Sequence, residues 1–360
     1  MTPQAMFQGL KVVELASVLA GPAVGLFFAE LGAEVIKIEN PATKGDATRA
    51  WKAPNEDKNK TDSAYYHSVN YGKEVRFLNL KVETERQLAY DLIRVADIVI
   101  ANYRPGAAQK LGMDYPTLSR LNPRLIYAEL TGFGAQDKRP AFDVVLQAET
   151  GFLHLTGEAD GPPVKMPVAL IDILAAHQLK EGILVALLQR ERSGKGNKVS
   201  SSLYASALAS LANQATNWLI AGYSPQRMGS QHPNIAPYGD VFRTADGKEL
   251  VLAIGVEVHF QRLCQLVNAA DLAQDERFRT NADRVANRTT LIPLLQEQIG
   301  RYPERDSFLQ QLNQDGIPAG AIRDLPDVFN QPGVEELLLR GTDDQGQAIR
   351  SVRSVAFKLS

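Results

Sequence analysis

Asp172 is the side chain whose type and position could carry covalent chemistry. It lies in the stretch from Val164 to Leu203, VKMPVALIDILAAHQLKEGILVALLQRERSGKGNKVSSSL. There Ile173, Leu174, Leu179, Ile183, Leu184 and Leu187 recur at helical spacing as far as Arg190, which predicts a helix opened by Asp172. A carboxylate at a helix start accepts backbone N–H groups and meets the positive end of the dipole, so it is expected to be ionised and fixed in direction. That suits a nucleophile, and it suits a plain N-terminal cap equally well.

The other candidates are donors and aromatics. Asn102, Tyr103, Arg104 and Lys110 fall in ANYRPGAAQKLG, directly after the apolar run DIVIA. The C-terminal edge of a strand in an open parallel sheet is where ligands bind. Lys73 and Lys81 flank KEVRFLNLK and read as solvated strand ends. Trp51 could pack on its own domain or wall an apolar pocket. His232 reads as a polar contact in a Pro-rich loop, and His259 and Cys264 as helix residues among apolar neighbours.

Elements able to position these groups follow from periodicity. LKVVELAS is a strand, GPAVGLFFAELG a helix and AEVIKIEN a second strand, a parallel unit with the loop Ala16–Gly21 on the ligand side. TERQLAYDLIRVA, DIVIAN and TLSRLNPRLIYAELTGFG repeat the alternation. The fold class expected is α/β: a Rossmann-like, doubly wound large domain with a smaller α+β second domain. No G-x-G-x-x-G follows the first strand, which demotes a dinucleotide dehydrogenase. LYASALASLANQATNWLIAG reads as one long helix, and the irregular MGSQHPNIAPYG after it marks a boundary. The domains expected are 1–224, rejoined by 325–360, and 225–324. The second carries a hairpin turning at Ala245, Asp246 and Gly247.

Several spaced patterns together resemble the family III CoA-transferases, the CaiB/BaiF group. SVLAGPAVGLFFAELGAEVIKIENP with GDATRAW resembles their opening, and Asn102, Tyr103, Arg104 and Lys110 their N-[FY]-x-P-G element. Asp172, Ala175, Ala176, Ala186, Leu187, Arg190, Ser193, Gly194 and Gly196 resemble the segment that carries their acylated Asp. The resemblance spans nearly the whole chain. It implies that Asp172 is the catalytic carboxylate and that CoA lies against Leu19, Ala20, Leu78, Lys81, Asn102, Tyr103, Arg104, Lys110 and Phe142. It also implies a substrate pocket drawing on Trp51, Gly229, Ser230 and Gln231, and a dimer of interlinked ring-like subunits. The chain departs from the pattern at Asn40, where relatives often have a basic residue.

The implied reaction moves CoA from an acyl-CoA to a carboxylic acid through an aspartyl anhydride and an aspartyl-CoA thioester. CoA is then a substrate, with no permanently bound cofactor and no metal. An α-methylacyl-CoA racemase shares the fold but needs a His before the Asp of D-x-x-x-Q-A; this chain has Phe142, which cannot carry a proton. A non-catalytic CoA-binding subunit would have no use for Asp172.

Composition bounds the rest. The chain has 360 residues, 44% hydrophobic and 22% charged, as in soluble globular proteins. With 39 Lys and Arg against 41 Asp and Glu, nothing in the net charge points to nucleic acid or an acidic membrane. Cys264 is the only cysteine, which excludes an internal disulfide and fits the cytoplasm. No apolar run approaches the roughly 20 residues of a membrane helix.

Overall fold

The computed structural model describes residues 6–343 and 346–359. Its contacts form two compact units. One comprises the described chain to Gly151, Met166–Ala212 and Gly333 onward; the other comprises Phe152–Lys165 and Asn213–Pro332.

In the first unit, β1 (Lys11–Leu15), α1 (Ala20–Glu30), β2 (Glu34–Glu39), α2 (Ala64–Asn70), β3 (Glu74–Phe77), α3 (Glu83–Arg94) and β4 (Ile98–Ala101) come first. Then follow α4 (Ala107–Leu111), α5 (Tyr115–Leu121), β5 (Ile126–Thr131) and α6 (Asp143–Glu149). After the one-turn α7 (Phe152–Leu155) of the second unit come α8 (Leu170–Ser193), β6 (Lys198–Ser202) and α9 (Leu203–Ala209). Six strands form one sheet in the order β3-β2-β1-β4-β5-β6, and each neighbouring pair is parallel. The central strands are buried throughout, as in Ile98, Val99, Ile100 and Ala101, because helices cover both faces of a parallel sheet. The order reverses between β1 and β4, so the crevice beyond their C-terminal ends is the natural ligand site.

The second unit holds α10 (Ala212–Leu219), β7 (Tyr238–Arg243), β8 (Glu249–Ala253), α11 (Glu257–Leu266), α12 (Ala270–Gln274), α13 (Asn281–Ala286), α14 (Arg288–Ile299), α15 (Arg305–Gln314), β9 (Ala319–Ala321) and α16 (Leu325–Phe329). β7, β8 and β9 form an antiparallel sheet around a core of Phe242, Leu250, Phe260, Leu291, Phe308 and Leu312. The hairpin β10 (Leu338–Thr342) and β11 (Ala348–Val352) belongs to the first unit.

Two elements differ from expectation. The predicted long helix is two, α9 and α10, broken where Ala212 takes φ 47, a left-handed conformation that no helix can continue through. The unit boundary falls at that break, ahead of the predicted 224/225, and the chain returns at Gly333. Lys73 is the other case: its ammonium is fully buried, 2.8 Å from Glu14 Oε2. A lysine at a strand end is buried here because a carboxylate beneath α1 compensates it.

Candidate active site

The crevice is built on the loop between β1 and α1. Asn102, just past β4, accepts from Ser17 N at 3.1 Å and donates Nδ2 to Ser17 O at 2.8 Å. Both of its polar functions are therefore spent on the backbone of one residue. A cavity of about 420 Å³ opens beside this clamp, lined among others by Val18, Leu19, Ala20, Arg104, Phe142 and Asp172. A second, of about 430 Å³, is lined among others by Asn40, Asp46, Leu78, Asn79, Leu80 and Lys81. The two share Leu15, Ser17 and Tyr103. Together they form an extended groove along the sheet edge, with Asp172 in one lobe and Lys81 in the other.

Asp172 is the third residue of α8, a helix of 24 residues. Its expected partners, the N-terminal N–H groups, are taken by another residue. Asp143, at the start of α6, accepts from Ile171 N at 2.7 Å and from Asp172 N at 3.3 Å. Gln147 Nε2 donates to its other oxygen at 2.5 Å. Asp143 is therefore the cap of α8, and no side chain of α8 or its N-terminal neighbour caps it. The Asp172 side chain is left buried beside a second carboxylate, and burial first, then Asp143, push its pKa up to about 7. The expected ionised, hydrogen-bonded carboxylate is thus replaced by one poised near neutrality, since desolvation and a like charge both disfavour the anion.

Tyr65 joins this lobe electrostatically. Burial raises its hydroxyl to about 12, with help from Asp172, Asp143 and Asp46. Trp51 meets the Tyr65 ring edge to face, 5.2 Å between centroids. Like Tyr65, it is among the lining of neither cavity. Arg49, by contrast, is committed to the fold through Glu39, Tyr66 and Asp62.

The groove thus gathers Leu19, Ala20, Leu78, Lys81, Asn102, Tyr103, Arg104, Phe142 and Asp172. Lys110 is exposed on α4 and lines neither lobe. Gly229, Ser230 and Gln231 belong to the second unit, where Gly229 N donates to Gly157 O and Gln231 Oε1 accepts from Arg288. Two groups escape sequence reading. Asp143 is visible only as the Asp of D-x-x-x-Q-A beside Phe142, and Tyr65 carries no local signal. Among the described residues no group of His, Cys, Asp and Glu could hold a metal ion.

Residues 7–359 match the profile of CoA-transferase family III. The chain belongs to that family. It is 40% identical over 338 residues to a succinate–glutarate CoA-transferase of Agrobacterium fabrum, covering 92% of this chain and 84% of that protein. An acetyl-CoA:oxalate CoA-transferase of Acetobacter aceti is 37% identical, with 92% and 84% covered. The crystal structure of a CaiB/BaiF family protein from Brucella suis superposes with a TM-score of 0.86 at 40% identity, covering 99% of this chain and 93% of that one. This family III protein is accordingly a CoA-transferase, and its groove is the place to seek the reaction.

Proposed function

We propose that the enzyme transfers CoA between small dicarboxylic acids, with Asp172 as the covalent carrier. The observation that carries this reading is the Asp172 carboxylate in the groove, buried and with its helix N–H groups already taken by Asp143. A carboxylate whose helix N–H donors are taken by a neighbour is a better nucleophile than a fully hydrogen-bonded one, because it surrenders less on attack.

Ionised Asp172 attacks the thioester carbonyl of the donor. The tetrahedral oxyanion collapses, the C–S bond breaks, and an aspartyl acyl anhydride and CoA thiolate result. The thiolate attacks the aspartyl carbonyl, releasing the donor acid and leaving an aspartyl-CoA thioester. The acceptor carboxylate displaces CoA as a second anhydride, and thiolate attack on the acceptor's carbonyl releases the new acyl-CoA and Asp172. The aspartyl anhydrides and the aspartyl-CoA thioester each conserve the free energy of the donor thioester, and a carboxylate carrier can form both.

CoA is proposed to run along the groove. The thiol end lies toward Leu19, Ala20 and Phe142, and Lys81 and Arg104 meet phosphates in a lengthwise array suited to a molecule with separated anions. The dicarboxylate class rests on the relatives, whose names give succinate with glutarate and acetyl-CoA with oxalate. The racemase alternative loses support at Phe142, an exposed aromatic at the start of α6. We also propose that the enzyme acts as a cytoplasmic homodimer. Leu219 and Ile220, 74% and 84% exposed in the single chain, suit burial against a second copy. No helix among the described residues is long and apolar enough to cross a membrane.

The test is intact-mass analysis after incubation with succinyl-CoA, glutaryl-CoA or acetyl-CoA and hydroxylamine, for the wild type and Asp172→Ala. Hydroxylamine converts an activated aspartate to its hydroxamate. The expected result is a mass gain in wild type only, mapped to Asp172. Absence of label with every acyl-CoA, while CoA still binds, would overturn the reading.

A further inference from the structure

The loop from Ala16 to Val18 is held residue by residue, each by a side chain from a different stretch of the chain. Lys37 Nζ of β2 donates to Ala16 O at 2.7 Å. Asn102 brackets Ser17 as described. Val18 N donates to both oxygens of Asp46, at 3.3 and 3.1 Å. Val18 has φ 73, a left-handed conformation costing a β-branched residue about 1–3 kcal/mol and kept only where surroundings over-determine it.

Asp46 borders the second lobe of the groove and is itself held by several partners. Thr48 donates N and Oγ1 to its Oδ1 at 3.0 and 2.9 Å, and Lys37 Nζ lies 3.1 Å from Oδ2 with both side chains fully buried. Lys37 continues to Glu14 at 2.9 Å. Glu14 meets Lys73, which donates to Pro22 O in α1 at 2.8 Å. A four-charge chain thus runs beneath the start of α1 and ends on the Val18 peptide. Burial works against each of these charges. The partners outweigh it for Glu14, Lys37 and Asp46, which stay ionised, whereas for Lys73 burial prevails and its pKa falls to about 8. A buried ionic cluster contributes little net stability, which directs attention to what its end residue holds. Val18, Leu19 and Ala20 line the lobe that contains Asp172.

We infer that Asp46 is a positioning residue for the transfer reaction: by holding the strained Val18 peptide it sets the wall of the lobe that faces Asp172. This rests on the proposed role of Asp172. If the wall is what matters, replacing Val18 by glycine, which takes positive φ without strain, makes Asp46 dispensable. Direct contact between Asp46 and substrate predicts no such relief.

The experiment is a double-mutant cycle of Asp46→Asn and Val18→Gly, assayed with succinyl-CoA as donor and glutarate as acceptor and by hydroxamate formation at Asp172. With Val18 present, Asp46→Asn is expected to lower kcat about 10- to 100-fold, the scale of a small misplacement, with KM for succinyl-CoA within about threefold. In the Val18→Gly background the same change costs less than about threefold in kcat. Equal losses in both backgrounds, or a raised KM at unchanged kcat, overturn the inference. Should Asp46→Asn not yield folded protein, Thr48→Ala, which removes one donor to Asp46, must give a smaller kcat loss that Val18→Gly again suppresses; no such suppression overturns it too. Wild type that fails to label at Asp172 refutes the proposed function instead, so the two failures remain distinguishable.

Discussion

A carboxylate in the first turn of a helix usually collects backbone N–H groups, and Asp172 does not because Asp143 has already collected them. The consequence is a pH dependence. Burial and Asp143 raise Asp172 to about 7, so hydroxamate formation is expected to rise across about pH 6–8 with a midpoint near 7, measured by stopped incubation at constant ionic strength. Asp143→Asn keeps the capping oxygen but removes the like charge, and the midpoint should move down. The stability sign follows from the same shift. The native state holds the proton more tightly than the unfolded chain, so stability falls as pH rises from about 4 to 7. Asp172→Asn should therefore raise the urea midpoint at pH 8, on the order of 1 kcal/mol or more in stability, and the gain should fade toward pH 4. The sequence marks Asp172 as the residue to watch but does not show what raises its pKa, since its neighbour in space lies 29 positions back in the chain. Lys73 is misread for the same reason: its partner Glu14 is on another strand.

At the scale of elements, α1 can lie close over this cluster because of one small residue. A Cβ added to Gly25 would overlap Glu14 Oε2 and crowd the Lys73 side chain. Gly25→Ala should accordingly destabilise the protein by about 1–3 kcal/mol, against the gain of up to about 1 kcal/mol that alanine brings at a free helix site; a lower melting temperature checks it. Strands β1, β2, β4 and β5 are legible from sequence, since their apolar runs, bounded by turn residues, have no other use than the middle of a parallel sheet. The break between α9 and α10 is not, because both halves are rich in helix formers and the interruption rests on the conformation of one alanine. The β1–α1 loop lies between these cases. Its AGP is legible as a helix start, while the left-handed Val18 is invisible, being imposed by Asp46 and not by its own preference.

At the scale of the molecule, the sheet order places the switch point between β1 and β4, and the groove lies there for reasons of topology that alternating sequence patterns already imply. What the patterns leave open is how the first unit is assembled from three stretches. Its last stretch is anchored to α1: Glu30 accepts from Ser354 N at 2.7 Å and Val355 N at 3.3 Å, and Phe357 meets Phe27 at 6.4 Å between centroids. Bonds to a charged acceptor are worth about 1.5–3 kcal/mol each, enough to matter against a domain stability of about 5–15 kcal/mol. Each unit also contains one of the two tryptophans, Trp51 in the first and Trp218 in the second. A chain ending at Pro332 loses the anchor and leaves Glu30 without those donors. In single-tryptophan variants, Trp218→Phe and Trp51→Phe, urea unfolding of that shortened chain should move the Trp51 transition to lower urea by more than the Trp218 transition. Equal shifts would mean that the last stretch does not stabilise the first unit selectively, and that the groove does not depend on it.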